Sequence, residues 1–407
     1  MMHFGLNLYN SGVNTYLLNL INEASKTANI SIKTPAGVTE SKDIHDQVMQ
    51  GETLSSILCT NSMDKISKDS KIEPLKYRNK ISIPKLGFVD DLMDIHKCKE
   101  MTKKVNEYTN EEVSKRKLML SKDKCMRMHV KSKNSKTQDC CDELLIDNWV
   151  SKKIESESGT YLKDIYNNKI PIKSVNQMDY LGDVVSVDGS HSLNIKARIS
   201  KGQGILTDIL QVLEGVYFGE YHYEAFVLMR NSLFLSVITN NLEISVLSDK
   251  DVKCLESLDH QLIQRSLHVN SKQSTIMMML ELGLNSVKYC LMKKRLMYLH
   301  HLVTSPDNSL SKLIFLEQTR SPLKSDWWSL VMKDMKHLNM KFSLSDISYM
   351  SKKKFKNAVK TLCNISNLDY LLERKSHMSK GKEIAYTKLE IQKYFKSGHG
   401  LTPENMR

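Results

Sequence analysis

Residues 87–93 read Gly-Phe-Val-Asp-Asp-Leu-Met, so two neighbouring acids, Asp90 and Asp91, stand inside an apolar run. Just before them, residues 81–84 alternate isoleucine with smaller residues, which is the two-residue period of a β-strand. Acids in such a setting need a reason, because burying an unpaired charge is costly. We therefore predict a buried hairpin that carries both aspartates at its bend.

The two aspartates of this hairpin have a possible chemical role. Neighbouring carboxylates can bind hard divalent cations through oxygen. Two such ions, about 3.5 to 4 Å apart, activate the attacking hydroxyl and stabilise the leaving group in phosphoryl transfer. An Asp-Asp pair also occurs by chance in surface turns. On these residues alone, both interpretations of Asp90 and Asp91 stay open.

Helical patterns dominate the chain after residue 191. Apolar residues recur at helical spacing along residues 205–216, 225–238 and 277–303, and we interpret these stripes as packing faces. Residues 201–204, Lys-Gly-Gln-Gly, lack the lysine-serine ending of a phosphate-binding loop and are predicted to form a turn before a helix. Strands followed by helices predict an α+β fold.

A second strand-like run occupies residues 177–187 and is followed by Asp188 and Gly189. The Asp-Gly pair is a strong short-range hairpin signal, so we place a turn there.

The charge of the chain points to polyanionic partners. The 407 residues allow two or three domains, and the formal net charge is +13. Residues 349–407 contain thirteen Lys or Arg against five Asp or Glu, and Lys352, Lys353 and Lys354 are the densest point. We predict that these three lysines contact a nucleic-acid backbone, with a solvated helical face as the alternative.

Membrane and secreted classes are not expected. No stretch is apolar enough for a bilayer span, and the first residues lack the pattern of a secretory signal. The eight cysteines have no framework spacing, which is typical of reduced thiols. Cys125 and His129 are only half of a possible zinc site, and a structural thiol is the better interpretation. We expect a chain located in the cytoplasm and nucleus, without a membrane partner.

Two aromatic pairs have a structural and a functional interpretation. His300 and His301 lie in a Leu- and Met-rich helix, where packing at the helix surface is favoured over catalysis. Trp327 and Trp328 could stack on bases. Capping or burial in a core is favoured for them.

Several motifs occur together in one order along the chain. These are residues 50–61 (QGETLSSILCTN), residues 88–91 (FVDD), Lys124 before a short strand, residues 180–191 (YLGDVVSVDGSH) and residues 293–303 (KKRLMYLHHLV). The residues of these motifs and their order resemble those of reverse transcriptases from animal retrotransposons that lack long terminal repeats. The resemblance covers most of the chain and implies an RNA-directed DNA polymerase.

The resemblance implies specific roles in a partial polymerase palm. Asp90 would hold both catalytic magnesium ions and Asp91 would assist at one edge of the site. Gln50 and Gly51 would lie beside the incoming nucleotide and the template, and Lys124 would lie near the triphosphate. The implied partners are an RNA template, a DNA primer and deoxynucleoside triphosphates.

The resemblance also implies the domain organisation. Residues 1–190 would be the partial palm, an antiparallel sheet with helices that carries Asp90 and Asp91. Within it Tyr180, Leu181 and Gly182 would form the hairpin that grips the primer end. Residues 191–305 would be a helical thumb and residues 306–407 a basic helical region.

In the family, a further aspartate in an upstream motif completes the metal cage, and no such motif precedes Phe4. We therefore expect an incomplete palm in a chain truncated at both ends. Two alternatives stay open. One is a non-catalytic nucleic-acid-binding protein, and the other is a remnant whose exposed sheet edge prevents stable folding.

Overall fold

The computed structural model is a mixed α+β protein, which confirms the predicted fold class at this level. It splits into two compact units, Met1–Val175 and Asn176–Arg407, which we call the first and the second unit. The division into three domains stays a prediction. None of the described helices is long and apolar enough to cross a membrane. The residues that the structure describes are 8–9, 12–26, 29–43, 57, 60, 63–64, 66, 73–83, 85–88, 91–96, 99–115, 120–121, 124–128, 161–163, 169–214, 220–267 and 274–376.

The first unit consists of short elements. Its helices include α1 (Thr15–Lys26) and α2 (Lys99–Lys115). Its described strands are β1 (Asn29–Ile30), β2 (Lys33–Thr34), β3 (Gly37–Val38), β4 (Lys42–Asp43), β5 (Leu75–Tyr77), β6 (Ile81–Ile83), β7 (Leu86–Phe88), β8 (Asp91–Met93), β9 (Met126–Arg127), β10 (Tyr161–Lys163), β11 (Lys169–Pro171) and β12 (Lys173–Ser174).

These strands pair two by two. Within the described residues, β1–β4, β2–β3, β5–β6, β7–β8 and β10–β11 are antiparallel ladders, and β9–β12 is parallel. The single antiparallel sheet expected for a palm is not among these pairings. Two- and three-residue strands form few ladder hydrogen bonds and present little surface for packing, so such ladders depend on neighbouring helices.

A small core joins the helices of the first unit to one hairpin. Ile66, Met63 and Val113 are buried, and Leu92 of β8 packs against them. Met63, Asp64 and Ile66 are helical.

The second unit begins with a hairpin and continues as helices. Its strands are β13 (Gln177–Tyr180) and β14 (Asp183–Ser186). Its helices are α3 (Ser192–Glu214), α4 (Glu220–Met229), a π-helix (Arg230–Phe234), α5 (Leu235–Ile238), a 3-10 helix (Leu242–Ile244), α6 (Asp249–Ser266), α7 (Thr275–Glu281), α8 (Val287–Thr304), α9 (Leu310–Arg320), α10 (Trp327–His337), α11 (Leu344–Tyr349) and α12 (Lys352–Ser376).

Helix α8 is the centre of the second unit. Its buried residues cover most of its circumference, as expected for a helix surrounded by others. One hydrophobic core includes Leu291 of α8 together with side chains of α3 to α7. The other core includes Leu296 and Leu299 of α8 together with side chains of α9 to α12. Helix α8 therefore contributes to both cores.

Helix α12 closes the second unit against the start of α8. Asn367 is buried, its Oδ1 accepts the Ser286 N–H at 3.0 Å, and its Nδ2 donates to the Leu284 carbonyl at 3.1 Å. One turn earlier, Asn364 Oδ1 accepts a hydrogen bond from Asn285 Nδ2 at 2.9 Å. Asn367 thus pairs two backbone groups of the loop before α8, as buried backbone requires, and Asn364 binds a side chain of the same loop.

The structure corrects the interpretation of residues 201–204. They lie inside helix α3 and form no turn. A methyl group added at Gly202 would lie 2.6 Å from Ile238 Cγ2 and 2.8 Å from Leu258 Cδ2. Gly202 is therefore a close contact between helices, while Gly204 has no such neighbour within 4 Å.

The apolar stretch 277–303 is also divided. It forms α7 and α8, separated at Gly283, whose φ of +60° is left-handed. A positive φ ends a helix because its backbone hydrogen bonds cannot continue.

Each aromatic pair has one buried member, Trp327 in one pair and His300 in the other. Trp327 is 8% exposed, and its Nε1 donates to the Glu243 carbonyl at 2.7 Å, which confirms burial in a core. His300 lies deeper than predicted: it is buried between helices, and its Nε2 is 2.9 Å from the Met350 carbonyl. Its neighbour His301 is exposed.

Two histidines make the second unit sensitive to acid. Burial lowers the pKa of His260 below its ordinary value of 6.5, and partial desolvation lowers that of His337, an exposed residue at the end of α10. The Tyr289 hydroxyl lies 2.9 Å from His337 Nε2, and burial raises the pKa of this tyrosine, so its O–H stays protonated and can donate a hydrogen bond to the neutral histidine. The folded state therefore binds fewer protons than the unfolded state near pH 6.

We expect stability to be full above pH 6.5 and to fall as the pH drops below it. Urea midpoints at about pH 7.5 and pH 5.5 measure the effect. A His260→Gln/His337→Gln variant should lose less stability over that interval. If the variant loses as much stability between about pH 7.5 and pH 5.5 as the unmodified chain, the acid sensitivity comes from other groups.

Candidate functional site

The hairpin predicted around the aspartate pair is present. Strands β7 and β8 are antiparallel, with Leu86 opposite Met93 and Phe88 opposite Asp91. Two residues therefore separate the last paired positions, and Asp90 is one of them. Asp90 itself lies outside the described residues, whereas Asp91 lies within them.

The expectation that this hairpin is buried is wrong. Phe88 is 60% exposed, and Asp91 is also exposed. In the described part of the chain this ladder has two strands only, so no further strand covers Phe88. The carboxylate of Asp91 is accessible to solvent and to ligands.

An ion pair fixes the base of the same hairpin. Lys85 precedes β7, and its ammonium lies 3.2 Å from Asp94 Oδ2, just after β8. The ammonium also donates to Thr109 Oγ1 of α2 at 2.7 Å. Burial lowers the pKa of the nearby His96, while Asp94 raises it and Lys85 lowers it further. These contacts hold the hairpin on α2 without using Asp91.

A two-magnesium cage needs more carboxylates than the described residues bring together. No three His, Cys, Asp or Glu side chains lie close enough to hold a metal ion in the described ranges. Asp91 is accessible, but Asp94 is already paired with Lys85. Two bound cations need oxygen ligands from more than one element. The described residues alone do not form such a cage, and Asp90, its expected centre, lies outside them.

The residues predicted around the nucleotide are described in part. Gln50 and Gly51 lie outside the described residues. Lys124 is exposed in a turn, and the short strand expected after it is present as β9. No hydrogen bond or ion pair joins Lys124 to Asp91 in the described part of the first unit: Lys124 lies in the turn before β9, and Asp91 belongs to β8.

The hairpin of the second unit places Tyr180, Leu181 and Gly182 at its tip. Tyr180 pairs with Asp183, so Leu181 and Gly182 form a two-residue turn. Their φ angles are +49° and +85°, the left-handed values of a type I′ hairpin. The hairpin turn is therefore here. A turn is also present at residues 186–189, where the Gly189 N–H donates to the Ser186 carbonyl at 3.0 Å, but it joins no pair of strands, so the hairpin predicted from Asp188 and Gly189 is wrong. Those residues join β14 to α3.

Leu181 has an unfavourable backbone and an exposed apolar side chain. A non-glycine residue in the left-handed region costs about 1–2 kcal/mol. The Leu181 side chain is nevertheless 43% exposed, so it recovers little of this cost through packing. Backbone strain of this kind is frequent at binding sites, where surrounding contacts maintain it.

Three side chains hold the tip in place. Arg198 of α3 donates to the Gly182 carbonyl at 3.1 Å and forms an ion pair with Asp183. Asn194 donates to Asp183 Oδ1 at 3.1 Å. Asn241 donates to the Leu181 carbonyl at 3.4 Å. The tip is thus an anchored element of the second unit.

Sequence reasoning missed these anchors. The available signal was Arg198, a charged residue on the buried side of helix α3. A buried arginine needs a partner, and the acid next to the Leu-Gly pair was a candidate.

The predicted backbone-binding lysines lie together at the start of α12. Lys352, Lys353 and Lys354 are all exposed, as are Lys356 and Lys360 further along the helix. The opposite side of the helix is buried in the core through residues spaced four apart, Phe355, Val359 and Cys363. The lysine face is therefore directed to solvent.

Compared with models of protein families and with curated proteins, the chain matches none of them.

Proposed function

We propose that the chain is part of a reverse transcriptase of a retrotransposon that lacks long terminal repeats. Its activity would be RNA-directed DNA synthesis, in which a DNA primer paired to an RNA template is extended with deoxynucleoside triphosphates. One observation carries the proposal: two motifs of the family sequence each stand at the tip of an antiparallel hairpin. These are Phe88 to Asp91 and Tyr180 to Asp183.

The second hairpin supports a role at the primer end. Its tip is strained, exposed and anchored, so it presents the Leu181 side chain and the neighbouring backbone in a fixed position. A fixed apolar tip binds with a small loss of conformational entropy. It is suited to contact the last sugar and base of a primer.

The first hairpin supports a role in catalysis only in part. Asp90 and Asp91 would hold magnesium ions in such an enzyme, together with carboxylates beyond those that the structure describes. Lys124, Gln50 and Gly51 are proposed on the resemblance to contact nucleotide and template. The exposed Asp91 carboxylate is the one described feature that favours metal binding at this hairpin.

A second candidate function is nucleic-acid binding without synthesis. Two observations favour it: the net charge of +13 and the exposed lysines of α12. The described residues also contain no metal-binding cluster. In this case the second unit would hold a duplex through its phosphates, and binding would weaken steeply with salt.

The test compares two RNA–DNA heteroduplexes by fluorescence anisotropy, one with a recessed primer 3′ end and one with blunt ends. We expect tighter binding to the recessed end. Leu181→Asn should lower that affinity about tenfold, because burying a leucine contributes roughly 1.5–3 kcal/mol. The same change should raise the melting temperature, because asparagine tolerates the left-handed backbone. Leu323→Asn, at a leucine that is 55% exposed, is the matched control.

Nucleotide incorporation with magnesium then separates the two candidates. Synthesis that Asp90→Ala abolishes, and that Asp208→Ala on the exposed side of α3 preserves, supports the polymerase. Preference for the recessed end without synthesis supports the binding protein. Equal affinity for both heteroduplexes, unchanged in Leu181→Asn, would exclude the hairpin tip from primer recognition.

A further inference from the structure

The corner between α11 and α12 exposes an aromatic ring. Tyr349 is the last residue of α11 and is 88% exposed. A tyrosine ring normally loses much of its surface to packing, because it buries 150–250 Å² in typical cores and interfaces. Tyr349 contributes little to either core of the second unit and leaves both ring faces accessible.

This corner is held firmly although the ring is free. The Met350 carbonyl lies 2.9 Å from Nε2 of the buried His300 of α8. The His300 ring packs on Phe355, with ring centroids 5.1 Å apart, and Phe355 is fully buried. At the other end of α11, Ser343 and Asp346 form a capping box that fixes the helix start. The Tyr349 ring therefore projects from a fixed backbone.

The first turns of α12, which follow the ring in the chain, are strongly basic. Residues 347–368 contain five lysines and no Asp or Glu. Lys353 and Lys360 are seven residues apart, which is two helical turns or about 10 Å, so they lie on the same side of α12. Lys356 lies between them, and Asn357 is exposed on that side as well. We call Tyr349 and these four residues the α12 platform.

We propose that the α12 platform binds single-stranded RNA, with Tyr349 stacked on an unpaired base and the lysines on the adjacent phosphates. An aromatic ring next to a basic track is the arrangement that binds single strands, because every base has a face for stacking. Bases inside a duplex are already stacked and do not offer that face. The Asn357 amide can both donate and accept, as recognition of a ribose 2′-hydroxyl requires.

This inference deepens the proposed function and takes from it only the nucleic-acid ligand. The RNA would be an unpaired stretch of the same molecule that serves as template or of its flanking sequence. The hairpin tip at Leu181 and the α12 platform are separate features of the second unit, so an experiment can reject one proposal without rejecting the other.

The experiment measures the affinity of the full chain for a fluorescein-labelled oligouridine RNA of 12 nucleotides. Tyr349→Ala should weaken binding about tenfold, because stacking on one base contributes roughly 1–3 kcal/mol. Tyr349→Phe keeps the ring and should remain within about twofold of the unmodified chain. The control is Tyr16→Ala, at a tyrosine that is 77% exposed in the first unit, and it should leave the affinity unchanged.

The salt dependence separates the lysines from the ring. Each phosphate contact on a single strand contributes about 0.7 to the slope of log affinity against log salt, so Lys353→Ser/Lys356→Ser/Lys360→Ser should reduce the slope by about 2. Tyr349→Ala should leave the slope unchanged. Lys250→Ser/Lys253→Ser on α6, where Asp249 and Asp251 neutralise the lysines, is the matched control.

Three results would overturn the inference. These are an unchanged affinity in Tyr349→Ala, an equal loss in Tyr349→Phe, and equal affinity for a DNA strand of the matching sequence. A Leu181→Asn variant that keeps full affinity for the RNA strand supports separate sites. Equal affinity of the unmodified chain for the recessed and the blunt heteroduplex, with binding to the RNA strand intact, would exclude the hairpin tip from primer recognition and leave this inference standing.

Discussion

Replacing Asp259 with alanine should lower the unfolding free energy of the second unit by about 3–5 kcal/mol, because it leaves a buried guanidinium without a counter-charge. Arg230 is 0% exposed, and Asp259 is 1% exposed. The pair is bidentate: Nε donates to Oδ1 at 2.8 Å and Nη2 donates to Oδ2 at 2.6 Å. Nη2 also donates to the Asn285 carbonyl at 2.9 Å, which cannot neutralise the charge alone.

Urea unfolding followed by circular dichroism measures this loss. The double variant Arg230→Met/Asp259→Leu should recover most of it, since apolar residues of similar volume replace buried ion pairs well. Asp307→Ala removes an ion pair whose acid is 96% exposed, and its midpoint should match that of the unmodified chain. A loss in Asp259→Ala no larger than in this control would mean that Arg230 finds other partners.

Alanine at Gly202 and at Gly204 should change stability in opposite directions, although both glycines lie in α3. At Gly202 the added methyl would be 2.6 Å from Ile238 and 2.8 Å from Leu258, which is far inside contact distance. Overpacking of this kind costs about 1–3 kcal/mol. At Gly204 no such atom lies within 4 Å, so the gain in helix propensity of about 1 kcal/mol remains.

Thermal unfolding of the two single variants and of the double variant tests this pair. Each change acts at its own site, so the double variant should be close to the sum of the singles. Gly202→Ala as stable as Gly204→Ala would show that α3 and α6 can separate without cost.

The sequence predicted those parts of the fold that depend on local periodicity. The α+β class and the helical character after residue 191 follow from apolar spacing, and the structure has both. The hairpin around the aspartate pair was also recognised from its alternating residues. Its exposure was not predicted, because exposure depends on which neighbouring elements cover a ladder.

Features set by distant contacts could not be read from the sequence. Each buried arginine of the second unit pairs with an aspartate 15, 29 or 39 residues away, and many acids lie at comparable separations. The pairs are Arg198–Asp183, Arg230–Asp259 and Arg295–Asp334. Local turn signals also competed. Asp188-Gly189 is the stronger hairpin signal in isolation, yet the hairpin turn forms at Leu181-Gly182, where Arg198 anchors it, and Gly189 ends a turn that joins no strands.

The position of α12 has a consequence for how the protein is made. Its asparagines pair with groups of the loop before α8 that lie 79 to 83 residues earlier in the chain. A ribosome adds about 5–20 residues each second, so roughly 4 to 16 seconds separate the two partners. During that interval the apolar surface of α8 that packs on Phe355, Val359 and Cys363 of α12 stays uncovered. Folding of the second unit is completed only when its final helix has been synthesised, and chaperones have their opportunity to act before then.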